Sequence, residues 1–340
     1  MEKKRTSWKR ALLTVLAVLL GLIFALLIGA TIVINAVLNK IPRVDRVEAT
    51  LSLAEIESIE NETDPDLPEG TYETMDPEDI QMPSEAEVIE QEDHIINILL
   101  IGQDKRGGTM RSRSDSMILC TVNLEKKTLL MTSFLRDLYV DLPDHNGVSF
   151  QDNRLNTCYM YGGMEMLNNA LELNFGVHVD HNIEVDFSGF SSIIDIMGGV
   201  GICLTPQEAG HLGGGLKEGY NLLNGEQALS YSRIRALDSD FGRTNRQRTV
   251  MISLLEQVRY MNIDQLTALI NTVFPLVTTD MTNAEIIAYA ISCFPILKDL
   301  TVSTQYIPAQ GTYNATFVRG MSVLIPDFEA NRKILRDTLK

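Results

Sequence analysis

A long apolar run near the N-terminus limits most strongly what this chain can form. Residues 11–38 read ALLTVLAVLLGLIFALLIGATIVINAVL, which is 28 consecutive positions without a charged side chain. About 20 apolar residues cross the hydrocarbon core of a bilayer as a helix. The apolar region of a cleavable signal peptide has only about 7–15 residues. The run therefore predicts a transmembrane signal anchor.

The charges that precede this run predict its orientation. Residues 1–10 contain Lys3, Lys4, Arg5, Lys9 and Arg10. Basic side chains that flank a membrane span favour the cytoplasmic side. We therefore expect residues 1–10 to be a cytoplasmic tail, residues 11–38 to cross the cell membrane once, and the rest of the chain to be extracellular.

A second segment accounts for the acidity of the chain, whose formal net charge is -16. From Val47 to Asp93 there are 17 Asp or Glu residues, four Pro residues and no Lys or Arg. Residues 94–340 carry 21 basic and 26 acidic side chains, so they are nearly neutral. A Pro-punctuated acidic run buries too little apolar surface to fold alone. Residues 39–93 are thus predicted to be an extended acidic extracellular tether.

From His94 onward, strand and helix patterns alternate. The short apolar runs that end at polar turns predict strands, and the longer segments with 3.6-residue apolar spacing predict helices. Asn224 and Gln227 have the spacing of a capping box at the start of one helix. The predicted strands are 95–102, 116–124, 128–135, 182–187 and 200–205, and the predicted helices are 162–176, 187–199, 224–235 and 243–261. This alternation predicts one α/β domain over residues 94–340, with helices covering a mixed sheet.

The four cysteines, Cys120, Cys158, Cys203 and Cys293, are widely spaced and form no CxxC motif. An extracellular location permits their oxidation, but the sequence pairs none of them. All except Cys158 lie in apolar runs, which predicts buried free thiols. No His lies at ligand spacing from a Cys, so a zinc site is disfavoured.

Residues 231–248, YSRIRALDSDFGRTNRQR, contain five arginines and no lysine. The planar guanidinium grips phosphate through two parallel hydrogen bonds and stays charged, so the cluster favours a phosphate or pyrophosphate ligand. Arg243 and Gln247 are four apart and share a helix face. The alternative is a set of surface arginines that pair with Asp238, Asp240 and Glu256.

Residues 102–117, GQDKRGGTMRSRSDSM, place two carboxylates among basic side chains. Asp104 follows one predicted strand and Asp115 opens the next, and ligands of open α/β sheets bind beyond the carboxyl ends of strands. Two carboxylates there suit Mg²⁺ that also meets substrate phosphates. A salt-bridged surface loop is the alternative. The motif SFLRD adds Arg136 and Asp137 at another strand end.

Several function classes are disfavoured. The chain has no Walker loop, no GxSxG motif and no Ser-His-Asp order, which disfavours an ATPase or a serine hydrolase. Its pI of about 4.8 and its lack of basic segments interleaved with aromatic residues disfavour a nucleic-acid partner.

Seven motifs follow the apolar run in order: NILLIGQDKR, RSDSMIL, SFLRDLYVDLP, RLNTCYMYGG, VDFSGFSSIIDIMGGV, LNGEQALSYSRIR and DFGRTNRQR. Over residues 94–260 the chain resembles the LytR-CpsA-Psr family of cell-wall glycopolymer ligases, and less distinctively so to residue 340. The resemblance implies a Gram-positive, membrane-anchored extracellular enzyme that moves a teichoic acid or capsular polysaccharide from a polyprenyl-pyrophosphate carrier onto peptidoglycan. It also implies an α/β fold with an apolar lipid tunnel between sheet and helices.

The resemblance also implies roles for individual residues. Asp104 and Asp115 match the family's aspartates linked to Mg²⁺ (or Mn²⁺), and together with Arg136, Arg233 and Arg235 they are the expected catalytic residues. The positions that match its pyrophosphate-binding residues are Arg106, Arg136, Arg233, Arg235, Arg243 and Gln247. Arg246 and Arg248 are expected on the helix surface or behind the site.

The chain departs from the family pattern at two places. Phe134-Leu135 stands where the family usually has Ile-Pro, and Gln247-Arg248 stands where Gln-Gln is common. Neither departure removes a charged residue of the expected site, so both bear on substrate choice.

Two other functions would use the same residues. One is a protein that binds polyprenyl-pyrophosphate lipids without catalysis, and the other is a pyrophosphatase acting on those lipids. Regulation of transcription is disfavoured because the predicted topology leaves only about ten residues in the cytoplasm. Asp104 and Asp115 both remain candidates for the general base.

Overall fold

The computed structural model describes residues 34–44, 50–52, 54–56, 74–83, 85–104 and 111–340. The predicted cytoplasmic tail and most of the predicted anchor fall in residues 1–33 and lie outside the described residues. Within the described ranges, no helix is both long enough and apolar enough to cross a membrane. The chain separates into two units, residues 1–41 and 42–340, and the second unit is described below.

The strands and helices of this unit have the following bounds. The strands are β1 (Thr74–Met75), β2 (Ile95–Gln103), β3 (Ser114–Asn123), β4 (Thr128–Phe134), β5 (Tyr139–Val140), β6 (Asn153–Arg154), β7 (His181–Asp186), β8 (Val200–Leu204), β9 (Gly219–Leu223), β10 (Thr278–Thr279), β11 (Thr301–Ile307), β12 (Tyr313–Val318) and β13 (Met321–Pro326). The helices are α1 (Leu155–Phe175), α2 (Phe187–Ile196), α3 (Pro206–Leu212), α4 (Gly225–Ser232), α5 (Asp240–Arg259), α6 (Ile263–Val273), α7 (Asn283–Cys293) and α8 (Phe328–Thr338).

Six of the described strands form a mixed sheet in the order β10-β7-β2-β3-β4-β11. Strand β3 is antiparallel to both of its neighbours, as the predicted hairpin requires. Strand β7 is parallel to β2, and β11 is parallel to β4. As a result β2, β4, β7 and β11 all end at the edge of the sheet where β3 begins. Loops that follow these strands therefore bring their side chains to one place.

One face of the sheet forms the main core of the unit. Successive strand residues point to opposite faces, and Leu99, Ile101 and Leu119 on this face have no exposed surface. They belong to one apolar cluster with residues of α1 and α8. Full burial of a side chain of this size stabilises the fold by roughly 1.5–3 kcal/mol. The continuous apolar runs of the sequence are explained by this burial.

Helix α1 begins at Leu155, seven residues before the predicted start, and it bends at a glycine pair. Gly163 has φ 70° and ψ -152°, a conformation that other residues rarely adopt. The helix ends as predicted, because Gly176 caps it in the left-handed conformation with φ 70°.

The predicted tether is too long, because residues 74–83 and 85–93 pack on the folded unit. Strand β1 pairs in parallel with β12, and Ile80 joins a cluster with buried residues of β5, β12 and β13. The backbone N–H of Ala86 donates to Leu173, and that of Ile89 donates to Gly176. The folded region therefore starts before residue 94. The acidic composition of the segment led to the wrong prediction, because only a few of its residues, such as Ile80 and Ile89, are apolar and buried.

The predicted burial of the cysteines is wrong for Cys203. All four are free, but Cys203 is exposed, and the fully buried thiol is Cys158, which the apolar-run argument had left out. Strand β8 belongs to a two-stranded hairpin, so every second side chain along it faces outward.

Candidate functional site

The predicted carboxylates lie at the edge where the strands end. Asp104 directly follows β2, Asp115 is the second residue of β3, and Arg136 comes two residues after β4. Nη1 of Arg136 donates a hydrogen bond to Oδ1 of Asp115 at 3.2 Å. The hairpin thus joins two of the predicted site residues that are 21 positions apart.

Helix α4 delivers two further arginines to this edge. Its capping box at Asn224 and Gln227 forms as predicted, but the helix ends at Ser232, so that Arg233 is its C-cap. Nη2 of Arg233 lies 3.9 Å from Oδ2 of Asp104, and Nη2 of Arg235 lies 3.9 Å from Oδ1 of Asp115. Both arginine side chains keep more than a third of their surface exposed. They can therefore reach a ligand as well as the carboxylates.

The guanidinium of Arg233 is also held by an aromatic ring. Its Cζ lies 4.7 Å from the centre of the Phe187 ring, the first residue of α2. An arginine over an aromatic face is attracted electrostatically. Residue Phe187 directly follows β7, so the same sheet edge supplies this contact.

Helix α5 begins at Asp240, three residues before the predicted start, and carries Arg243 and Gln247. Nη2 of Arg243 lies 2.7 Å from Oδ1 of Asp240. Burial lowers the pKa of Arg243 to about 10, and the charges of Arg136 and Arg235 act in the same direction. Arg243 remains a cation at neutral pH. The Oε1 atom of Gln247 accepts a hydrogen bond from the Ser116 hydroxyl at 3.1 Å, which ties α5 to β3.

Of the two places expected for Arg246 and Arg248, the helix surface is wrong, and a place behind the site stays a prediction. Both are at most 5% exposed. Arg246 donates to Glu208 at 2.7 Å and to Asp238 at 2.7 Å. Arg248 donates to the Ser133 hydroxyl at 2.6 Å. Helix α5 is covered by α4 and the sheet on these sides. Arg246 and Arg248 therefore form buried hydrogen bonds that connect α5 to neighbouring segments.

The alternative prediction, that the arginines of residues 231–248 pair on the surface with Asp238, Asp240 and Glu256, is confirmed only in part. The pairs Arg246–Asp238 and Arg243–Asp240 both form, but their guanidinium groups are buried. Glu256 pairs with Arg259, which lies outside the five-arginine segment. Arg233 and Arg235 face the carboxylates of the strand edge instead.

Sequence reasoning gave too little weight to Asp137 and missed Arg154. Oδ1 of Asp137 lies 3.4 Å from Nε of Arg136 and 3.6 Å from Nη1 of Arg154. Burial raises the pKa of Asp137, although the charges of Arg136 and Arg154 act to lower it. The RLNTCYMYGG motif contains Arg154 and was the signal available. Arg106 falls in residues 105–110, outside the described residues.

Residues 66–338 match the LytR_cpsA_psr family. The chain belongs to this family. Its match to the regulatory protein MsrR of Staphylococcus aureus strain COL is 32% identical over 222 residues, 64% of this chain and 66% of MsrR.

A second relative is the polyisoprenyl-teichoic acid–peptidoglycan teichoic acid transferase TagU of Halalkalibacterium halodurans. The two are 30% identical over 191 residues, which are 54% of this chain and 60% of TagU. The matched part of the chain thus spans slightly less than two thirds of the length of these relatives.

Solved structures support the fold. The structure of TagT bound to LIIa-WTA aligns with a TM-score of 0.59 at 22% identity, over 76% of this chain and 95% of TagT. Bacillus subtilis TagV aligns with a TM-score of 0.58 at 25% identity, over 73% of this chain and 97% of TagV. The predicted mixed α/β fold is therefore confirmed.

The donor set of this LytR_cpsA_psr protein suits a hard cation. Asp104 and Asp115 offer carboxylate oxygens, the ligands that Mg²⁺ prefers. The described residues contain no group of three or more His, Cys, Asp or Glu side chains that could hold a metal ion. A Mg²⁺ ion held by these two carboxylates would complete its coordination with water and ligand phosphates, which is its usual habit in phosphate sites.

The second face of the sheet is only partly covered, and it leads to the same edge. On this face Ile118, Leu129 and Met131 are buried, but six other apolar side chains of β2, β3 and β7 are only half-buried. They are Ile98, Leu100, Cys120, Val122, Ile183 and Val185. Burial raises the pKa of the Cys120 thiol to about 12, although part of its surface stays accessible. Helix α7 has an apolar sequence, yet none of its side chains is buried.

Proposed function

We propose that this protein is a phosphotransferase that moves a glycopolymer of the teichoic acid or capsular polysaccharide class from a polyprenyl-pyrophosphate carrier onto peptidoglycan. The observation that carries the proposal is the pairing of Arg136, Arg233 and Arg235 with Asp104 and Asp115 at one sheet edge. The name of the relative TagU describes the same class of transfer.

The arginines would bind the diphosphate of the carrier. Arg233 and Arg235 keep exposed guanidinium groups that can form paired hydrogen bonds to phosphate oxygens. Arg136 and Arg243 lie deeper and add fixed positive charge behind them. Preorganised charge of this kind stabilises the negative charge that develops as the transferred phosphorus changes partners.

The transfer itself would exchange two bonds to phosphorus. A hydroxyl oxygen of the acceptor sugar bonds to the phosphorus nearer the polymer, and the bond from that phosphorus to the bridging oxygen breaks. The carrier leaves as a monophosphate, and the hydroxyl proton passes to a carboxylate. Asp104 and Asp115 are the candidates for that base, and they are also the residues that would hold Mg²⁺. When bound, Mg²⁺ would neutralise phosphate charge.

The half-buried apolar face would hold the polyprenyl chain. Its side chains come from β2, β3 and β7, two of which end beside the arginines. A lipid lying along Ile183 and Val185 would have its diphosphate close to Arg233, since Phe187 follows two residues after Val185. Burial of its methylene groups would contribute about 0.8 kcal/mol each.

The proposed location rests on the sequence. The uncharged run of residues 11–38 and the basic residues before it support a single-pass anchor with the catalytic unit outside the cell. That placement puts the unit beside both the lipid carrier and the peptidoglycan acceptor.

The proposal is tested with the double variant Arg233→Ala/Arg235→Ala. We expect loss of polymer transfer by the full-length protein, given Mg²⁺, carrier-linked glycan and peptidoglycan, while the circular dichroism spectrum stays unchanged. Arg336→Ala on α8 is the matched control, since it removes an arginine far along the chain from the cluster. Transfer at the wild-type rate in the double variant contradicts the proposal. Release of the glycan to water without attachment would indicate a pyrophosphatase.

A further inference from the structure

A polar cavity lies away from the arginine cluster. It has a volume of about 400 Å³ and lies between the second half of α1, the segment 178–182 that enters β7, and residues beside α7. The arginine cluster lies where β7 ends, whereas this cavity lies where β7 begins. The two sites are thus at opposite ends of one strand.

The lining of this cavity is acidic. It includes Glu165, Glu172, Asp180 and Asp280, and none of its described lining residues is Lys or Arg. His178 and His181 also line it, so the lining keeps a net negative charge even with both imidazoles protonated. This lining repels an anionic ligand and favours a cationic one.

The decisive feature is a buried amide oxygen of Asn182, which has no exposed surface. Its backbone N–H donates to Oδ1 of Asp280 at 2.9 Å, and its Nδ2 donates to Oδ2 at 3.0 Å. These two bonds fix the orientation of the amide. Its Oδ1 atom has no hydrogen-bond donor among the described residues. Buried acceptors are rarely left in this state, so the atom points to a ligand.

Two more lining residues have the same property. Oε2 of Glu165 and Oδ1 of Asn168 are buried atoms that accept no hydrogen bond in the described part of the chain. Nδ1 of His145 lies 4.0 Å from Oε2 of Glu165, within ion-pair range but beyond hydrogen-bond distance. The two residues are three apart on α1 and so share a helix face. The cavity therefore presents three acceptor oxygens that lack donors. A primary ammonium group has three N–H donors and a positive charge.

We propose that this cavity binds a primary ammonium group. The acceptor oxygens of Glu165, Asn168 and Asn182 would take its hydrogen bonds, and the carboxylates of Glu172 and Asp280 would neutralise its charge. The ring of Tyr289 also lines the cavity and offers an aromatic surface that suits a cation. The volume suits an ammonium group with an aliphatic chain, because ligand sites of small molecules begin at about 300 Å³.

Binding is measured by calorimetry on the full-length protein in detergent with two probes. One is 1,5-diaminopentane, a free diamine, and the other is Nα-acetyl-lysine amide, which stands for a peptide side chain. Nα-acetyl-norleucine amide is the uncharged control. We expect at least one ammonium probe to bind and the norleucine probe to fail. The probe that binds more tightly identifies the source of the ammonium group.

Variants then locate the site. Asn168→Ala removes an acceptor without changing the charge and should weaken binding about tenfold, whereas Asn168→Asp restores an acceptor and should bind at least as tightly as wild type. Glu165→Gln should also weaken binding, and Glu226→Gln, an exposed position on α4, should not. The inference is overturned if neither ammonium probe binds, if norleucine binds equally, or if Asn168→Ala leaves the affinity unchanged. Polymer transfer plays no part in these readouts.

Discussion

The five arginines of residues 231–248 differ in depth, and depth limits what each one can contact. Arg233 and Arg235 are partly exposed and face the carboxylates of the strand edge. Arg246 and Arg248 are buried and hold α5 to its surroundings. Their side chains are chemically identical, so composition cannot separate ligand contacts from structural contacts.

Arg246 should matter for stability. Its guanidinium is shared by Glu208, which is nearly buried, and Asp238, which is 41% exposed on its side chain. We expect Arg246→Met to lower the free energy of unfolding by about 3 kcal/mol, because a buried carboxylate loses its partner. Lys333→Met, which breaks an exposed pair with Asp337, should cost less than about 1 kcal/mol. Urea unfolding checks both values, and equal effects would contradict the assignment.

Glu208 should make the stability depend on pH. Burial acts to raise its pKa, but hydrogen bonds from the Thr205 backbone and from Arg246 outweigh it, so the pKa is lowered. A lowered pKa stabilises the fold above the ordinary value of about 4.3, and that contribution is lost as pH falls through the folded-state value. Glu208→Gln should therefore be less stable than wild type at pH 7. This difference should shrink as pH falls below about 4, and urea midpoints across pH 3–7 measure it.

At the level of elements, the position of α4 depends on a close contact of its first residue. A Cβ atom on Gly225 would lie 2.1 Å from the Ser191 carbonyl oxygen in α2. The absence of a side chain thus lets α4 pack closely on α2. Because Arg233 caps the other end of α4, this contact helps to position a residue of the arginine cluster.

Gly225→Ala should push α4 away from α2. We expect a loss of about 2 kcal/mol in the free energy of unfolding, typical of overpacking, and a fall in polymer transfer because Arg233 shifts. Gly210→Ala on α3 is the control, since a Cβ there would meet no atom within 4 Å. That change should be neutral or stabilise by up to about 1 kcal/mol, because alanine favours helix. Wild-type transfer by Gly225→Ala would contradict this view of α4.

At the scale of the whole molecule, the acidic segment before residue 94 contributes to the fold. Strand β1 extends the β12–β13 sheet, and Ile80 and Ile89 are buried. Each of these side chains contributes roughly 1.5–3 kcal/mol when removed from water. Domains of this size are stable by only about 5–15 kcal/mol, so the contribution is substantial.

A chain that begins at residue 94 should therefore be less stable than one that begins at residue 42. We expect its midpoint of thermal unfolding to fall by several degrees and its exposed apolar surface to promote aggregation. Differential scanning calorimetry and light scattering measure these effects. Equal midpoints for the two chains would mean that residues 42–93 are a free tether after all.

The sequence by itself determined four of the six strands of the mixed sheet, β2, β3, β4 and β7, and the capping box at Asn224. These follow from local rules, since apolar periodicity and capping need only neighbouring residues. Motif order was enough to indicate the LytR-CpsA-Psr family, while the choice of Asp104, Asp115, Arg136 and Arg233 as site residues stays a prediction.

Only the tertiary structure decided which of these side chains meet and which are buried. The pairing of Arg235 with Asp115 links residues 120 positions apart, and it depends on where α4 ends. The burial of Arg246, the packing of residues 74–83 and 85–93, and the acceptor-lined cavity beside Asn182 depend in the same way on contacts between distant segments. Such contacts leave no local periodicity in the chain, because each side of the contact satisfies its own secondary structure equally well without the other.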